Sequence, residues 1–442
     1  MPRLLTLTLL AALSGFIPSL AAATTKRPNV VLIVTDDQGT LDLGCYGAPD
    51  LKTPNLDNLA KRGIKMTQFY VAAPVCSPSR ASILTGRNHN RAGVPGNVSS
   101  KAGHPGMPTE EITLAEHLGK AGYRTALFGK WHLGTIPECD PLGQGFHEFV
   151  GHKAGCIDNY SHYFYWSGPH FHDLWRNRSE IWEDGEHFGN IVVREAQRFI
   201  SENKHQPYFL FLPLNLPHYP TQSPLRFRRL FKDLEEPRRS YAATLAFVDD
   251  CLGRILDTIK RQGQERETLV VFLSDHGHST EERTGFGGGY AGIYRGAKFS
   301  LFEGGIRVPC LLSFPGKLPQ GVVRDQFTTS VDLFPTILEL CQIQTPNVFL
   351  DGQSIVRVLL ENRPSPHTEF NWKLGNQSAI RSGKWKLIMN PRDTDRTLLK
   401  GQDAEFLVDL SLDPGETKNL AKQNPHLLAR LKQAHLQWQM GL

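Results

Sequence analysis

The residues with the clearest chemical potential stand where apolar runs stop. NVVLIVT (29–35) ends in Asp36 and Asp37, YRTALFG (123–129) in Lys130, Trp131 and His132, YFLFLPLN (208–215) in Leu216, Pro217 and His218, and TLVVFLS (268–274) in Asp275 and His276. Each run reads as a buried strand, and amphipathic stretches separate them, which is the α/β pattern. Ligands of open α/β sheets bind outside the carboxyl ends of the strands. Four strands therefore bring carboxylates, histidines and a lysine to one edge. Asp36, Asp37 and Asp275 would repel one another there without a cation, and clustered hard oxygens suit calcium or magnesium. Taken alone, Asp36 or Asp37 reads better as a turn cap.

A fifth stretch, PVCSPSRAS (74–82), sets a cysteine beside a serine with Pro78 and Arg80 behind them. Pro78 suits the first position of a helix through SRASILTG, which puts Cys76 at or just before its N-terminus. Free N–H groups and the helix dipole favour negative charge at that end. Arg80 opposes the dipole, so its placement calls for an anion nearby. The pattern predicts an anionic substrate at a helix end, beside a nucleophile from Cys76 or Ser77. A thiolate next to a hard divalent cation is chemically mismatched.

CSPSRASILTG resembles the type I sulfatase signature, C-x-P-x-R with a Thr-Gly ending. The resemblance implies that Cys76 is oxidised to formylglycine by a maturation enzyme, and that the aldehyde hydrate both ligates the metal and attacks sulfur. Arg80 would steady it. RPNVVLIVTDDQG, GKWHLG, LPHYP, VVFLSDHG, RGAKFSLFEGGIRVP and EFLVDLSLDPGETKNLA resemble further segments of that family, in order along most of the chain. They imply a metal set of Asp36, Asp37, Cys76, Asp275 and His276, and catalytic or sulfate-binding roles for Lys130, His132, His218 and Lys298. The family usually carries asparagine after the aspartate where this chain has His276, a softer donor that either ligates or hydrogen-bonds the site. Calcium remains the expected ion. The implied chemistry has one hydrate hydroxyl attacking sulfur with help from Asp37. His218 or Lys298 then protonates the leaving oxygen, and His132 deprotonates the second hydroxyl to expel sulfate.

Residues 156–175, CIDNYSHYFYWSGPHFHDLW, are dense in aromatics and histidines. Tyr160, His162 and Trp166 are candidate sugar contacts, with core packing an equal alternative. The expected substrate is a sulfated carbohydrate such as a glycosaminoglycan or algal sugar, with aryl sulfates as artificial substrates. TGFGGGYAGIYRG (284–296) reads as a mobile rim or a surface loop, and not as a nucleotide loop. Two other functions compete: a phosphoester or phosphonate hydrolase of the same alkaline-phosphatase-like superfamily, and a sulfated-glycan binding protein that never converts Cys76.

The chain has 442 residues, 40% hydrophobic, with a formal charge of +5. Its densest basic cluster, Arg226 to Arg239, is broken by acids and reads as a solvated helix face, so no nucleic-acid partner is expected. Arg3, LLTLTLLAALSGFI and SLAAATT read as a secretory signal cleaved near Ala21 or Ala23, without a membrane anchor. The expected product is exported, to a periplasm, the medium or a lysosome-type compartment. Seven cysteines leave at least one unpaired, with Cys139–Cys156 an open pairing. The expected fold is a large, mostly parallel mixed sheet flanked by helices over 27–365. A small α+β subdomain over 366–442 is expected to carry an antiparallel sheet and a closing helix.

Overall fold

The computed structural model describes residues 27–166, 170–394 and 403–442. The expected signal segment lies outside them. Among the described residues, ten strands form the main sheet in the spatial order 322–324, 64–66, 310–313, 268–274, 29–35, 208–213, 124–130, 148–152, 175–176, 179–180. Its middle is the four runs that end in polar residues. Asn29–Thr35 pairs in parallel with Tyr208–Pro213 on one side and Thr268–Ser274 on the other, and Arg124–Lys130 lies parallel beyond. Cys310–Ser313 runs antiparallel to both neighbours, which makes the sheet mixed.

Asn29–Thr35 is apolar on both faces because both are covered, as parallel strands require. Val30, Leu32 and Val34 join one core with Ile83, Leu84 and Phe334; Val31 and Ile33 join the other with Phe199, Phe247 and Leu252. The first core seats the helices Cys76–Thr85 and Leu333–Leu340, the second Phe188–Glu202 and Arg238–Arg261. Thr53 sits at the N-cap of Pro54–Lys61, where its hydroxyl accepts from Gly44 N at 2.9 Å instead of capping. The signature helix begins at Cys76, two residues before Pro78. Pro78 is tolerated there because its missing N–H is still one of the unpaired first-turn donors.

Strands Glu369–Leu374, Gln377–Ser382, Trp385–Met389 and Glu405–Asp409 form a four-stranded antiparallel sheet. Period-two alternation divides its side chains. Trp372, Ala379, Ile388 and Val408 complete the main core, while Ile380, Leu387 and Leu407 pack with Leu431 of the closing helix Pro425–Gln439. Beneath this sheet, Lys386 Nζ lies 2.9 Å from both Glu303 Oε1 and Glu416 Oε1, all fully buried. All seven cysteines are unbridged; Cys45 is half-exposed and Cys139 and Cys156 are separate buried thiols.

Candidate active site

The parallel register decides what meets at the sheet edge. Thr35 is opposite Ser274, so Asp36 and Asp37 leave the sheet level with Asp275 and His276. Asp37 and His132 hold left-handed backbone, φ 61° and 57°, an uncommon state for such residues that is concentrated at functional sites. The Asp37 turn rests on Tyr241, whose hydroxyl donates to Asp42 Oδ2 at 2.9 Å, and Arg238 binds Asp42 and Asp50 at 2.7 Å each. Arg238 is thus a strut of the site, and not the solvated charge its neighbours in sequence suggested. Lys298 is delivered by a loop that leads into the short helix Glu303–Ile306, which closes over Gly277. A Cβ at Gly277 would stand 1.9 Å from Gly304 O, so only glycine permits that approach.

Cys76, at the first position of its helix, is 2% exposed. Its Sγ lies 3.7 Å from Asp36 Oδ1 and 3.3 Å from His276 Nε2. Lys130 Nζ donates to Asp36 Oδ2 at 2.5 Å, Lys298 Nζ to Asp37 Oδ1 at 2.8 Å, and Arg80 Nη2 to Asp275 Oδ2 at 2.9 Å. Arg80 Nη2 also lies 3.3 Å from Asp36 Oδ2. The charge that opposed the helix dipole is therefore answered by carboxylates of two strands. His218 Nε2 stands 3.7 Å from Asp37 Oδ2. Ser77 is otherwise engaged: its Oγ donates to His132 O at 2.7 Å and accepts from Val98 N at 3.0 Å. Of the two nucleophile candidates, only Cys76 faces the polar cluster.

Electrostatics follow from this packing. Burial would raise the Cys76 thiol and Asp36 adds to that, yet Lys130, Lys298 and His276 prevail and bring it down to about 6. Burial also raises Asp275, to about 6, with Asp36 adding repulsion. Burial would depress the His276 imidazole, but Asp275 and Cys76 lift it to about 9. His132 is pushed well below the usual imidazole range by burial, then by Lys130 and Arg80. Its Nε2 lies 3.1 Å from Val98 O, a carbonyl that only accepts, so the ring proton sits on Nε2. The buried Nδ1 is left with no hydrogen-bond partner.

A cavity of about 900 Å³ opens over this cluster, with Cys76, His132, His218 and Lys298 at its base and Phe164, Trp166 and Phe171 along one wall. Of the three candidate sugar contacts, Trp166 lines the cavity and Tyr160 and His162 do not. Tyr160 packs on His187 at 4.9 Å between ring centroids, and His162 is fully buried. Two wall elements carried no sequence signal, the 97–102 loop and Arg283, whose guanidinium lies 3.3 Å from the Trp166 ring centroid. The glycine-rich stretch behind Arg283 is no free rim, since Tyr290 N donates to Asp42 Oδ2 at 2.8 Å and Arg238 Nη1 donates to Gly288 O at 3.0 Å.

The sulfatase family model matches residues 28–343, and one described as N-sulphoglucosamine sulphohydrolase, C-terminal, matches 292–440. The chain belongs to the sulfatase family. It is 34% identical to human arylsulfatase A over 480 residues, covering 98% of this chain and 90% of that protein. It is 32% identical to rat N-acetylgalactosamine-6-sulfatase over 385 residues, covering 83% of this chain and 72% of that one. Among solved structures, Ps i-CgsB superposes with a TM-score of 0.84 at 29% identity, over 93% of each chain, and has also been solved with k-i-k-neocarrahexaose. The phosphonate monoester hydrolase of Agrobacterium radiobacter, at a TM-score of 0.67 and 21% identity, shares the fold.

Sulfatases work with a divalent cation and a formylglycine at the signature cysteine. The residues here fit such an ion. Single donor atoms of Asp36, Cys76, Asp275 and His276 lie within 4.8 Å of one another, and so do those of Asp36, Asp37 and His218. Asp37 Oδ2 is buried without a hydrogen-bond donor. A buried carboxylate oxygen in that state is costly unless a cation meets it.

Proposed function

We propose that this sulfatase removes sulfate esters from a sulfated carbohydrate, with Cys76 matured to formylglycine and a calcium ion held by Asp36, Asp37, Asp275 and the oxygen at position 76. The observation that carries this is the setting of Cys76: the floor of a large cavity, between three carboxylates and the cations Lys130, Lys298 and Arg80. When present, the cation polarises sulfate oxygens and the formylglycine hydroxyl supplies the nucleophile. The remaining work falls to the chain's own side chains. Lys130 and Lys298 hold sulfate oxygens in a low-dielectric floor, where fixed charges stabilise developing charge most. Arg80 fixes Asp275 and Asp36 from behind. Asp37 accepts the proton of the attacking hydroxyl. In its imidazolium form His218 holds one proton on Nδ1, 2.6 Å from Tyr219 O, and gives the other, on Nε2, to the leaving oxygen. His132, neutral and with Nδ1 unpartnered, takes the proton that releases sulfate. His276 Nδ1 lies 2.9 Å from Gly277 O, so the tautomer protonated at Nδ1 leaves Nε2 free to face the cation.

The carbohydrate reading is supported by the aromatic wall, by the 97–102 loop that also lines the cavity, and by the likeness to an N-acetylgalactosamine-6-sulfatase and to a protein solved with a neocarrahexaose. Export follows from the leader-like N-terminus, and a formylglycine-forming enzyme is the implied maturation partner. Among the described residues no helix is long and apolar enough to cross a membrane.

The test compares sulfate with phosphonate monoesters of one aryl alcohol. Sulfate should be favoured by about 10²-fold or more; a reversed ratio sinks the reading in favour of a phosphonate hydrolase. His132→Gln should lower kcat by ~10²–10⁴ with little change in KM. Steady-state kinetics that show the opposite split would reassign His132 to binding. Chelation should abolish turnover and lower Tm, and calcium should restore both; an ion at ~1,000 Kd contributes about 4 kcal/mol to the folded state. A Tm indifferent to chelation and calcium would remove the cation from this site.

A further inference from the structure

Behind the cavity wall lies a second cluster that the sulfatase chemistry does not use. His162 precedes the two-residue strand Tyr163–Phe164, which pairs antiparallel with Phe171–His172. The turn carrying Asp184 folds back on this hairpin, with Gly185 N donating to Tyr160 O at 2.8 Å. Single donor atoms of His162, His172 and Asp184 lie within 4.8 Å of one another. The two imidazoles stand 83° apart, with centroids separated by 6.1 Å.

The hydrogen bonds fix which nitrogens are free. His162 Nε2 lies 3.1 Å from Glu186 O, an acceptor only, so the proton is on Nε2 and the lone pair on Nδ1. His172 Nδ1 lies 2.9 Å from Glu180 Oε1, a carboxylate, which places the proton on Nδ1 and the lone pair on Nε2. His162 Nδ1 and His172 Nε2 are both buried and have no hydrogen-bond partner. His162 is fully buried and the His172 side chain is 3% exposed. Two orphaned imidazole lone pairs beside a carboxylate, each ring held from behind by a carbonyl or a carboxylate, are the arrangement by which proteins orient histidine ligands to a metal.

We propose that His162 Nδ1, His172 Nε2 and the Asp184 carboxylate form a zinc site, separate from the catalytic cation. Two nitrogens and one carboxylate oxygen suit zinc better than calcium, and exposed Asp184 leaves a fourth position open to water. Ligands of tetrahedral zinc lie about 3.3 Å apart, so the donor separations shorten by at most about 1.5 Å on binding. Trp182 stacks on His172 at 3.8 Å and shields it. The ion would staple the hairpin whose Phe164, Trp166 and Phe171 line the substrate cavity. It would therefore brace the wall without touching sulfate.

The test uses Co²⁺ and Zn²⁺ as probes on the full chain carrying Cys76→Ala, which removes the competing thiol of the catalytic floor. One equivalent of Co²⁺ should give the visible absorption of a four-coordinate ion, displaced by Zn²⁺ and not by Ca²⁺. His172→Gln should abolish that band. Asp184→Asn, an exposed change that cannot unfold the core, should weaken Zn²⁺ by about tenfold or more and cancel the rise in Tm that Zn²⁺ gives. A band or stoichiometry unchanged in Asp184→Asn and His172→Gln would overturn the proposal. So would the absence of any Zn²⁺-dependent band or Tm shift in folded protein. The band does not depend on sulfatase activity, so its failure is distinguishable from failure of the catalytic reading.

Discussion

Cys76→Ala is expected to lower aryl-sulfate turnover by about 10⁵-fold or more while the protein still folds. The size follows from the role: removal of a covalent nucleophile disables both halves of the reaction, whereas each surrounding charge serves one. Stability should change little. Cys76 is a small side chain at a helix N-terminus, and the alanine side chain fits its space. Cys76→Ser separates nucleophilicity from release. Its hydroxyl can form a sulfate ester, but a serine ester lacks the second hydroxyl that expels sulfate, so a single turnover should be followed by arrest. Initial rates, burst amplitude and Tm check both variants. Turnover in Cys76→Ala at the parent rate would end the formylglycine reading.

Lys386→Met should cost about 3–5 kcal/mol in urea unfolding, without altering any group on the cavity floor. Lys386 is fully buried with Glu303 and Glu416 on either side. Burial raises both carboxyls. At Glu303 the charges of Lys386 and Arg307 outweigh it and bring the group down to about 2, while at Glu416 burial and the Glu303 charge prevail and hold it at about 7. Loss of the ammonium leaves two acids facing each other out of water. Methionine keeps the stem's packing, so the loss reports charge and not a cavity. Adding Glu303→Gln and Glu416→Gln to Lys386→Met should recover much of it; a triple variant no more stable than the single would mean that packing of the C-terminal sheet, and not charge, is what Lys386 supplies.

Much of the cavity floor was legible before any coordinates. Buried parallel strands are apolar nearly throughout, so the first ionisable residue past each run stands out: Asp36, Lys130, His218 and Asp275. The signature around Cys76 is local in sequence and reads the same way. The wall was not legible. Tyr160 and His162 come from the same aromatic and histidine-rich run as Trp166, but they precede the strand Tyr163–Phe164 and His162 has left-handed backbone, φ 60°, so the strand's alternation does not reach them and composition does not record which side chains meet the cavity. Arg283 is one arginine among many until folding sets it over Trp166. Lys386 sits in an unremarkable strand, and its partners lie 83 residues before it and 30 after.

The α/β layering, the strand ends and the signature cysteine follow from burial periodicity and contiguous residues, and so can be read from the chain before it folds. Folding alone sets Ser77 against His132 and Val98, answers Arg80 and Arg238 with carboxylates, and turns His162 toward His172 and away from the cavity. Those are pairings between distant segments. Their energies depend on distance and desolvation, which exist only once the chain has closed on itself.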